Sequence, residues 1–309
     1  MGPGTSLNEA ETKVKSRGMM SILIDDSTRI IVQGITGRTG SIQTRWMLAY
    51  GTKVVGGVTP GKGGAAVEGV PVFESAEEAV KETGANASVF FVPAAFVLDA
   101  FLETVDAGVE LIVVVPEHVP VHDVMKMRAY AAEKGVFALG PTTPGILVPG
   151  KGKMGIMPGS LFSPGRVGIV SRSGTLSYEF AGILSEGRVG QSTVVGMGAD
   201  TVVLTNLSDI LRLFEEDPDT DAVIIVGEVG GEQEEKAAGF IQEKMSKPVA
   251  AYIAGRHSPQ GKRMGHAGAI VRGSAGTVLG KQETLRAAGA EILESPFHVA
   301  QWARKHNLR

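Results

Sequence analysis

Short β-branched apolar runs alternate along the chain with stretches whose apolar residues recur at helical spacing. Residues 29–33, 53–58, 87–92, 111–115 and 136–139 have the length and composition of strands. Residues 40–49, 75–82 and 123–134 lie between them and predict helices; in the last, Val124, Met127 and Ala131 fall on one face. The alternation restarts at 166–170 and runs on through 192–197, 222–226, 249–253 and 291–293, again with helical stretches between. Strand–helix alternation of this kind predicts parallel sheets joined by crossover helices, here two doubly wound α/β domains. Residues 140–165, with prolines at 141, 144, 149, 158 and 164, predict an irregular connection between them. The expected boundaries are 20–148 for the first domain, 149–165 for the linker and 166–309 for the second. Residues 1–19 are polar and aperiodic and read as a tag, leader or disordered extension ahead of an original start at Met20.

Composition narrows the function classes. A length of 309 residues suits two domains, and a net charge of −3 speaks against a nucleic-acid binder. The chain has no cysteine, which excludes disulfides, thiolate nucleophiles and cysteine-held metals. No apolar run has the roughly 18 to 20 residues needed to span a membrane, and the first 19 residues lack a signal-peptide core. A cytoplasmic protein fits this balance. The histidines and nearby acids show no metal-ligand spacing, so no metal site is expected.

Candidate chemistry gathers at the turns that follow strands. Gly34-Ile35-Thr36-Gly37-Arg38-Thr39-Gly40 follows the first strand and opens a helix, an arrangement that presents backbone amides to a phosphate. A tight turn with no ligand has the same sequence pattern. The next strand runs into Thr59-Pro60-Gly61-Lys62-Gly63-Gly64. An NAD enzyme wants an acid there for the ribose hydroxyls. The acid is missing and Lys62 is present, which favours a ribose that carries a phosphate, as in coenzyme A or NADP.

Three later turns form a second set. Ser173-Gly174-Thr175 opens a helix after strand 166–170, either as a phosphoryl cradle or as an ordinary serine cap. Glu228 stands at a strand end in Gly227-Glu228-Val229-Gly230-Gly231, either to orient an imidazole or as a plain carboxylate. His266 sits in Gly261-Lys262-Arg263-Met264-Gly265-His266-Ala267-Gly268, where small neighbours keep the ring accessible as a neutral nucleophile. Lys262 and Arg263 would attract phosphate or meet a partner, or simply lie in solvent. His118 and His122 match no role, and His257, His298 and His306 read as surface residues. A serine hydrolase built on Ser173 does not meet the G-x-S-x-G elbow, since Ser171 and Thr175 flank it at two removes.

On the His266 loop, the Ser173 turn and the segment from Thr59 to Gly64, the chain resembles the α subunits of succinyl-CoA synthetase and related nucleoside-diphosphate-forming acyl-CoA ligases. The resemblance runs from Met20 to about Glu294. It implies an N-terminal Rossmann-like coenzyme A domain and a C-terminal flavodoxin-like ligase domain. It further implies coenzyme A contacts at Gly37, Arg38, Thr39, Gly40, Thr59, Pro60, Lys62, Val92, Pro93 and Glu117. In the second domain it implies a phosphohistidine at His266, oriented by Glu228 and cradled by Ser173, Gly174 and Thr175. The chain has no Walker A motif, and in this family a β subunit with a nucleotide-grasp domain supplies ATP or GTP with Mg²⁺. An obligate β partner and a carboxylate substrate, succinate first, are therefore expected. Four segments depart from the usual family pattern: Arg38-Thr39, Pro116-Glu117-His118, Pro141-Thr142-Thr143-Pro144-Gly145 and the stretch from Met197 to Thr205. They leave malate, citrate, itaconate and other carboxylates open. From other classes, an NADP-dependent oxidoreductase and a non-catalytic coenzyme A-binding regulator remain as alternatives.

Overall fold

The computed structural model describes residues 22–256, 258, 266, 268, 269 and 276–308. The expected leader 1–19 lies outside the described residues, as do Lys262, Arg263, Gly265, Ala267 and His257.

The first sheet has seven strands in the order β3 (Ala66–Val67), β4 (Val70–Phe73), β2 (Val54–Val58), β1 (Ile30–Gln33), β5 (Ala87–Phe90), β6 (Leu111–Val114) and β7 (Phe137–Leu139). All neighbours are parallel except the β3–β4 hairpin. Every residue of β1, β5 and β6 is buried, because crossover helices cover both faces. These helices are α1 (Arg38–Ala49), α2 (Ala76–Thr83), α3 (Val97–Asp106) and α4 (Val121–Lys134). After β1 the chain builds outward through β2 on one side and then returns to place β5 on the other. That reversal leaves a crevice beyond the carboxyl end of β1, the Rossmann arrangement.

The second sheet also has seven strands, in the order β14 (Glu291–Ile292), β13 (Val249–Ala254), β12 (Ala222–Glu228), β10 (Pro164–Ser171), β11 (Gln191–Gly196), β8 (Gly145–Val148) and β9 (Gly152–Gly155). Taken alone, β11-β10-β12-β13-β14 is the flavodoxin order 2-1-3-4-5, with its reversal between β10 and β12. Its helices are α5 (Gly174–Glu186), α6 (Leu207–Glu216), α7 (Gln233–Lys244), α8 (Val278–Ala287) and α9 (Val299–Lys305).

The segment expected to be an irregular linker is instead the edge of this second sheet. β8 pairs antiparallel with β11, and β9 with β8. The glycines that suggested an irregular connection let the hairpin cross closely: a Cβ on Gly145 (φ +100°) would sit 1.9 Å from the Met154 carbonyl oxygen. The alternation of Ile146 and Val148 against Leu147 places residues on two faces, all of them buried. Residues 145–148, which the expected boundaries gave to the first domain, thus belong to the second sheet.

The two lobes share one apolar core, in which Val32, Leu139, Ile146, Met154, Val170 and Ile225 are members of the same buried cluster. Polar contacts close the seam. Thr52 Oγ1 donates to the Lys153 carbonyl at 3.1 Å and accepts from the Lys153 amide at 3.0 Å. Thr205 Oγ1 donates to the Ala138 carbonyl at 2.6 Å. Among the described residues no helix is long and apolar enough to cross a membrane.

Candidate functional site

At the carboxyl end of β1 the chain turns through Gly34 (φ +76°) into α1, whose N-cap is Gly37. A glycine cap has no side-chain oxygen to take the first-turn amides, so these remain for a ligand. The third glycine is fixed by packing: a Cβ on Gly40 would stand 2.2 Å from the Gly34 carbonyl oxygen. A cleft of 570 Å³ opens here, and Gly37, Thr59, Pro60, Val92 and Pro93 line it together with Gln33, Phe91, Phe96, Asp99 and Glu103. Thr36 Oγ1 donates to Thr59 Oγ1 at 3.2 Å, tying the glycine turn to the end of β2. The Lys62 loop is shaped by Glu74, whose carboxylate accepts from the amides of Gly61 at 2.6 Å and Gly63 at 2.5 Å. Those two amides hold the Glu74 carboxyl below its ordinary range.

Arg38 and Thr39 lie exposed on the first turn of α1, and Gly40 is buried beneath them. Lys62 is exposed on its loop. None of these four lines the cleft itself. Phe96, 61% exposed at the rim, and Gln33, buried at the end of β1, are cleft residues that the glycine pattern did not reveal.

The second centre lies at the reversal between β10 and β12. His266 Nδ1 is 2.6 Å from Glu228 Oε2, the last residue of β12. A carboxylate accepts, so Nδ1 carries the proton and the Nε2 lone pair is left for chemistry. The His266 side chain is 35% exposed and Glu228 only 7%. The hydrogen bond to Glu228 raises the His266 pKa above the ordinary 6.5; burial opposes this, the Glu228 charge adds to it, the Arg172 charge opposes, and the Glu117 charge adds.

Behind Glu228 lies a buried ionic network. Arg172, between β10 and the cap of α5, places NH2 3.1 Å from Glu228 Oε1 and NH1 3.3 Å from Glu234 Oε1. Arg172 NH1 also donates to the Gly230 carbonyl at 2.8 Å. Lys281 Nζ donates to the same carbonyl at 2.7 Å and pairs with Glu234 Oε2. Glu234 and Lys281 are wholly buried. Burial alone would raise the Glu234 pKa, but the Arg172 and Lys281 charges outweigh it and hold the carboxyl below its ordinary range. Burial likewise works against the Arg172 charge, and the Glu234 and Glu228 carboxylates more than offset it.

Ser173 caps α5, its hydroxyl accepting from the Leu176 amide at 3.4 Å, while the Ser173 amide donates to Ser171 Oγ at 3.0 Å. The capping role that the sequence left open is therefore present. Gly174 is half-buried and Thr175 exposed at the same helix start. Arg172 links all three turns: it adjoins Ser173, faces Glu228, and its NH2 would lie 2.7 Å from a Cβ on Gly268. The Gly268 amide in turn donates to the Ala199 carbonyl at 3.1 Å.

The carboxyl edges of the two sheets meet across residues 140–144. The Thr142 amide donates to the Pro116 carbonyl at 3.0 Å, its hydroxyl to Asp200 Oδ1 at 3.0 Å, and the Ala199 amide to the Thr142 carbonyl at 3.2 Å. Glu117 is exposed beside this junction and outside the first cleft, yet near enough to act on the His266 charge. His118 and His122 are exposed, whereas His306 is half-buried against Glu291 at 2.5 Å rather than a free surface residue. Among the described residues no three histidine, aspartate or glutamate side chains come together as a metal site.

The comparisons with known proteins agree with this division. Residues 25–118 match the CoA binding domain family model and residues 170–291 the CoA-ligase model. The chain is 55% identical over 282 residues to subunit alpha 2 of the ADP-forming succinate–CoA ligase of Archaeoglobus fulgidus, covering 91% of this chain and 98% of that one. It is 54% identical over 288 residues to the corresponding alpha subunit of Methanothermobacter thermautotrophicus, covering 93% and 98%. Among solved structures, ATP citrate lyase from Methanothrix soehngenii, in complex with citrate and coenzyme A, superposes with a TM-score of 0.83 at 25% identity. That match takes in 94% of this chain and 52% of the lyase, so the chain spans about half of the larger protein. A glycine-lined crevice in one lobe, a carboxylate-bound imidazole in the other, and half-identity along nearly the whole length have one common source: the chain belongs to the family of succinate–CoA ligase α subunits.

Proposed function

We infer that this chain is the coenzyme A-binding, phosphate-relaying subunit of a nucleoside-diphosphate-forming carboxylate–CoA ligase, with a β subunit as partner and succinate as its acid. The observation that carries the reading is the 2.6 Å contact between His266 Nδ1 and the buried Glu228 carboxylate. It commits the ring proton to one nitrogen and leaves the other as a nucleophile on the accessible side. Family membership favours succinate over malate or citrate and sets the NADP oxidoreductase aside.

A carboxylate oxygen is a poor leaving group, so thioester formation needs prior activation. In this reading His266 Nε2 takes the terminal phosphoryl group of a nucleoside triphosphate: a P–N bond forms, the P–O bond to the diphosphate breaks, and the diphosphate leaves. The substrate carboxylate then takes the phosphoryl group from Nε2, and the neutral imidazole is restored. The amides of Gly174 and Thr175 and the hydroxyls of Ser173 and Thr175 at the start of α5 suit the phosphoryl oxygens while the group rests on the ring. Gly37, Thr59, Pro60, Val92 and Pro93 would hold coenzyme A in the first cleft, with Arg38, Thr39, Gly40 and Lys62 at its phosphate end and Glu117 between the two centres. The fit rests on a mainly apolar cleft with uncapped helix amides at its base. When bound, the coenzyme supplies the thiol that takes the acyl group. The nucleotide with Mg²⁺ belongs to the nucleotide-grasp domain of the β subunit, and the assembled enzyme to the cytoplasm, where both nucleotide and coenzyme are kept.

The test uses the assembled αβ complex with labelled nucleoside triphosphate. His266→Asn should abolish both the acid-labile, base-stable protein phosphate and thioester synthesis, while coenzyme A still binds. A His266→Asn complex that makes thioester at the wild-type rate would refute the reading.

A further inference from the structure

We propose that Arg172, braced by Glu234 and Lys281, is a positioning residue for the histidine centre: it locks the Glu228 carboxylate in the orientation that commits the His266 proton to Nδ1. The proposal deepens the phosphohistidine reading and rests on it.

The two oxygens of Glu228 do different things. Oε2 meets His266, whereas Oε1 is buried and, among the described residues, has no aligned hydrogen-bond donor. What compensates Oε1 is the guanidinium charge of Arg172 at 3.1 Å. A buried carboxylate held by one hydrogen bond and one ion pair has a single stable orientation only while the cation stays fixed. A partial rotation about the Cγ–Cδ bond would swing Oε2 away from the ring nitrogen and weaken the bond to the imidazole.

The cation is fixed from behind. Glu234 Oε1 faces Arg172 NH1 at 3.3 Å and also accepts the Glu228 backbone amide at 3.1 Å. The same carboxylate therefore holds both the arginine and the main chain of the residue that the arginine orients. Lys281 closes the arrangement, pairing with Glu234 and sharing the Gly230 carbonyl with Arg172. Glu235 adds a third carboxylate, its Oε2 3.6 Å from Lys281, so two cations face three carboxylates. Such clusters often contribute little net stability relative to apolar packing, so a geometric role accounts for this many charged groups in a dry interior better than a stabilising one does.

A planar fork is required at this position. Arg172 has to face Glu228 and Glu234 and reach the Gly230 carbonyl at once, which a lysine with one rotatable ammonium cannot reproduce. Gly268 leaves room for it: a Cβ there would lie 2.7 Å from NH2, whereas one on Gly231 would stand at an ordinary contact distance of 3.5 Å.

The experiment is ¹⁵N NMR of imidazole-labelled αβ complex, read together with single-turnover phosphorylation by nucleoside triphosphate. The wild type should show neutral His266 as the Nδ1–H tautomer. In Arg172→Lys the Nε2–H tautomer should become a major form, and phosphohistidine formation should slow by about tenfold to a hundredfold, with coenzyme A affinity unchanged. The paired variant Glu234→Gln/Lys281→Met removes one charge of each sign together with the brace; it should shift the tautomer in the same direction. An assembled Arg172→Lys complex with the wild-type tautomer and rate overturns the proposal. So does failure of both variants to assemble, which would assign the network to folding. An active His266→Asn complex would instead sink the phosphohistidine reading, and the tautomer measurement separates the two failures because it needs no turnover.

Discussion

The two centres occupy equivalent places, each beyond the carboxyl ends of strands at a reversal of strand order, and are built from opposite materials. The first cleft is lined mostly by glycine backbone, prolines, valines, threonines and phenylalanines, with two carboxylates, Asp99 and Glu103, and no cation among them. The second is a chain of charges, Lys281–Glu234–Arg172–Glu228–His266, that runs from the interior to a half-exposed ring. A ligand that brings its own reactive atom needs shape and a few amides from the protein. A group that must be received and released needs one side chain in one protonation state, and that takes fixed charges in a region water does not reach.

The sharpest way to break the contrast is Glu228→Gln. The amide cannot serve as the same charged acceptor, so phosphohistidine formation should fall by about a hundredfold or more, with coenzyme A binding untouched; rapid quench with labelled nucleotide measures it. The pH profile carries the sign. Because the folded-state pKa of His266 is raised above 6.5, the neutral nucleophile accumulates, and the wild-type rate climbs, only as pH passes through that higher value. In Glu228→Gln the midpoint should move down, because burial and the Arg172 charge then act on the ring without the carboxylate that opposes them. The same shift makes the His266–Glu228 pair a stability contribution that is complete below 6.5 and lost as pH rises through the folded-state pKa.

Gly40→Ala should have the converse selectivity. The new methyl has no room against the Gly34 carbonyl at 2.2 Å, so the glycine turn must shift. Coenzyme A affinity by calorimetry should weaken about tenfold, on the order of 1.4 kcal/mol, while His266 is phosphorylated normally. Equal damage to both activities would mean that the shared core couples the centres more tightly than their separate construction implies.

The smallest effect is expected for Ser173→Ala. Loss of the cap on α5 costs about 1 kcal/mol, a drop in Tm of roughly 2–4 °C, readable by calorimetry of the complex. A fall in phosphorylation rate of about a hundredfold instead would show that the hydroxyl bonds the phosphoryl group more than it caps the helix.

Much of the first cleft was legible because glycine spacing is a backbone property. Gly34, Gly37 and Gly40 recur at three-residue steps after a strand, and only backbone approach requires that. Val92 and Pro93, which the family resemblance implied, line the same cleft. The resemblance also implied Arg38, Thr39 and Lys62, and all three are exposed and outside the cleft lining. The buried brace left a fainter trace. Glu234 shares a helix face with Ala237, Ala238 and Ile241, and Lys281 shares one with Val278, Gln282 and Leu285. A charge on an otherwise buried stripe demands a buried partner, so each residue announced that it had one without saying which. The segment 140–165 misled for a related reason: glycine and proline mark close crossings of a hairpin as readily as they mark irregular chain.

By itself the sequence determined the alternation of strands and helices, the two doubly wound lobes, and the glycine-rich turns at the strand ends, because each of these is written in local periodicity and in residues with special backbone freedom. Only the tertiary structure decided that Arg172, Glu234 and Lys281 meet behind Glu228, that Arg172 beside the Ser173 turn faces both Glu228 and Gly268, and that residues 145–155 complete the second sheet. Those are contacts between charges and strands far apart along the chain, and their partners are chosen by burial: once water is excluded, each buried charge must find the opposite charge that the fold brings to it.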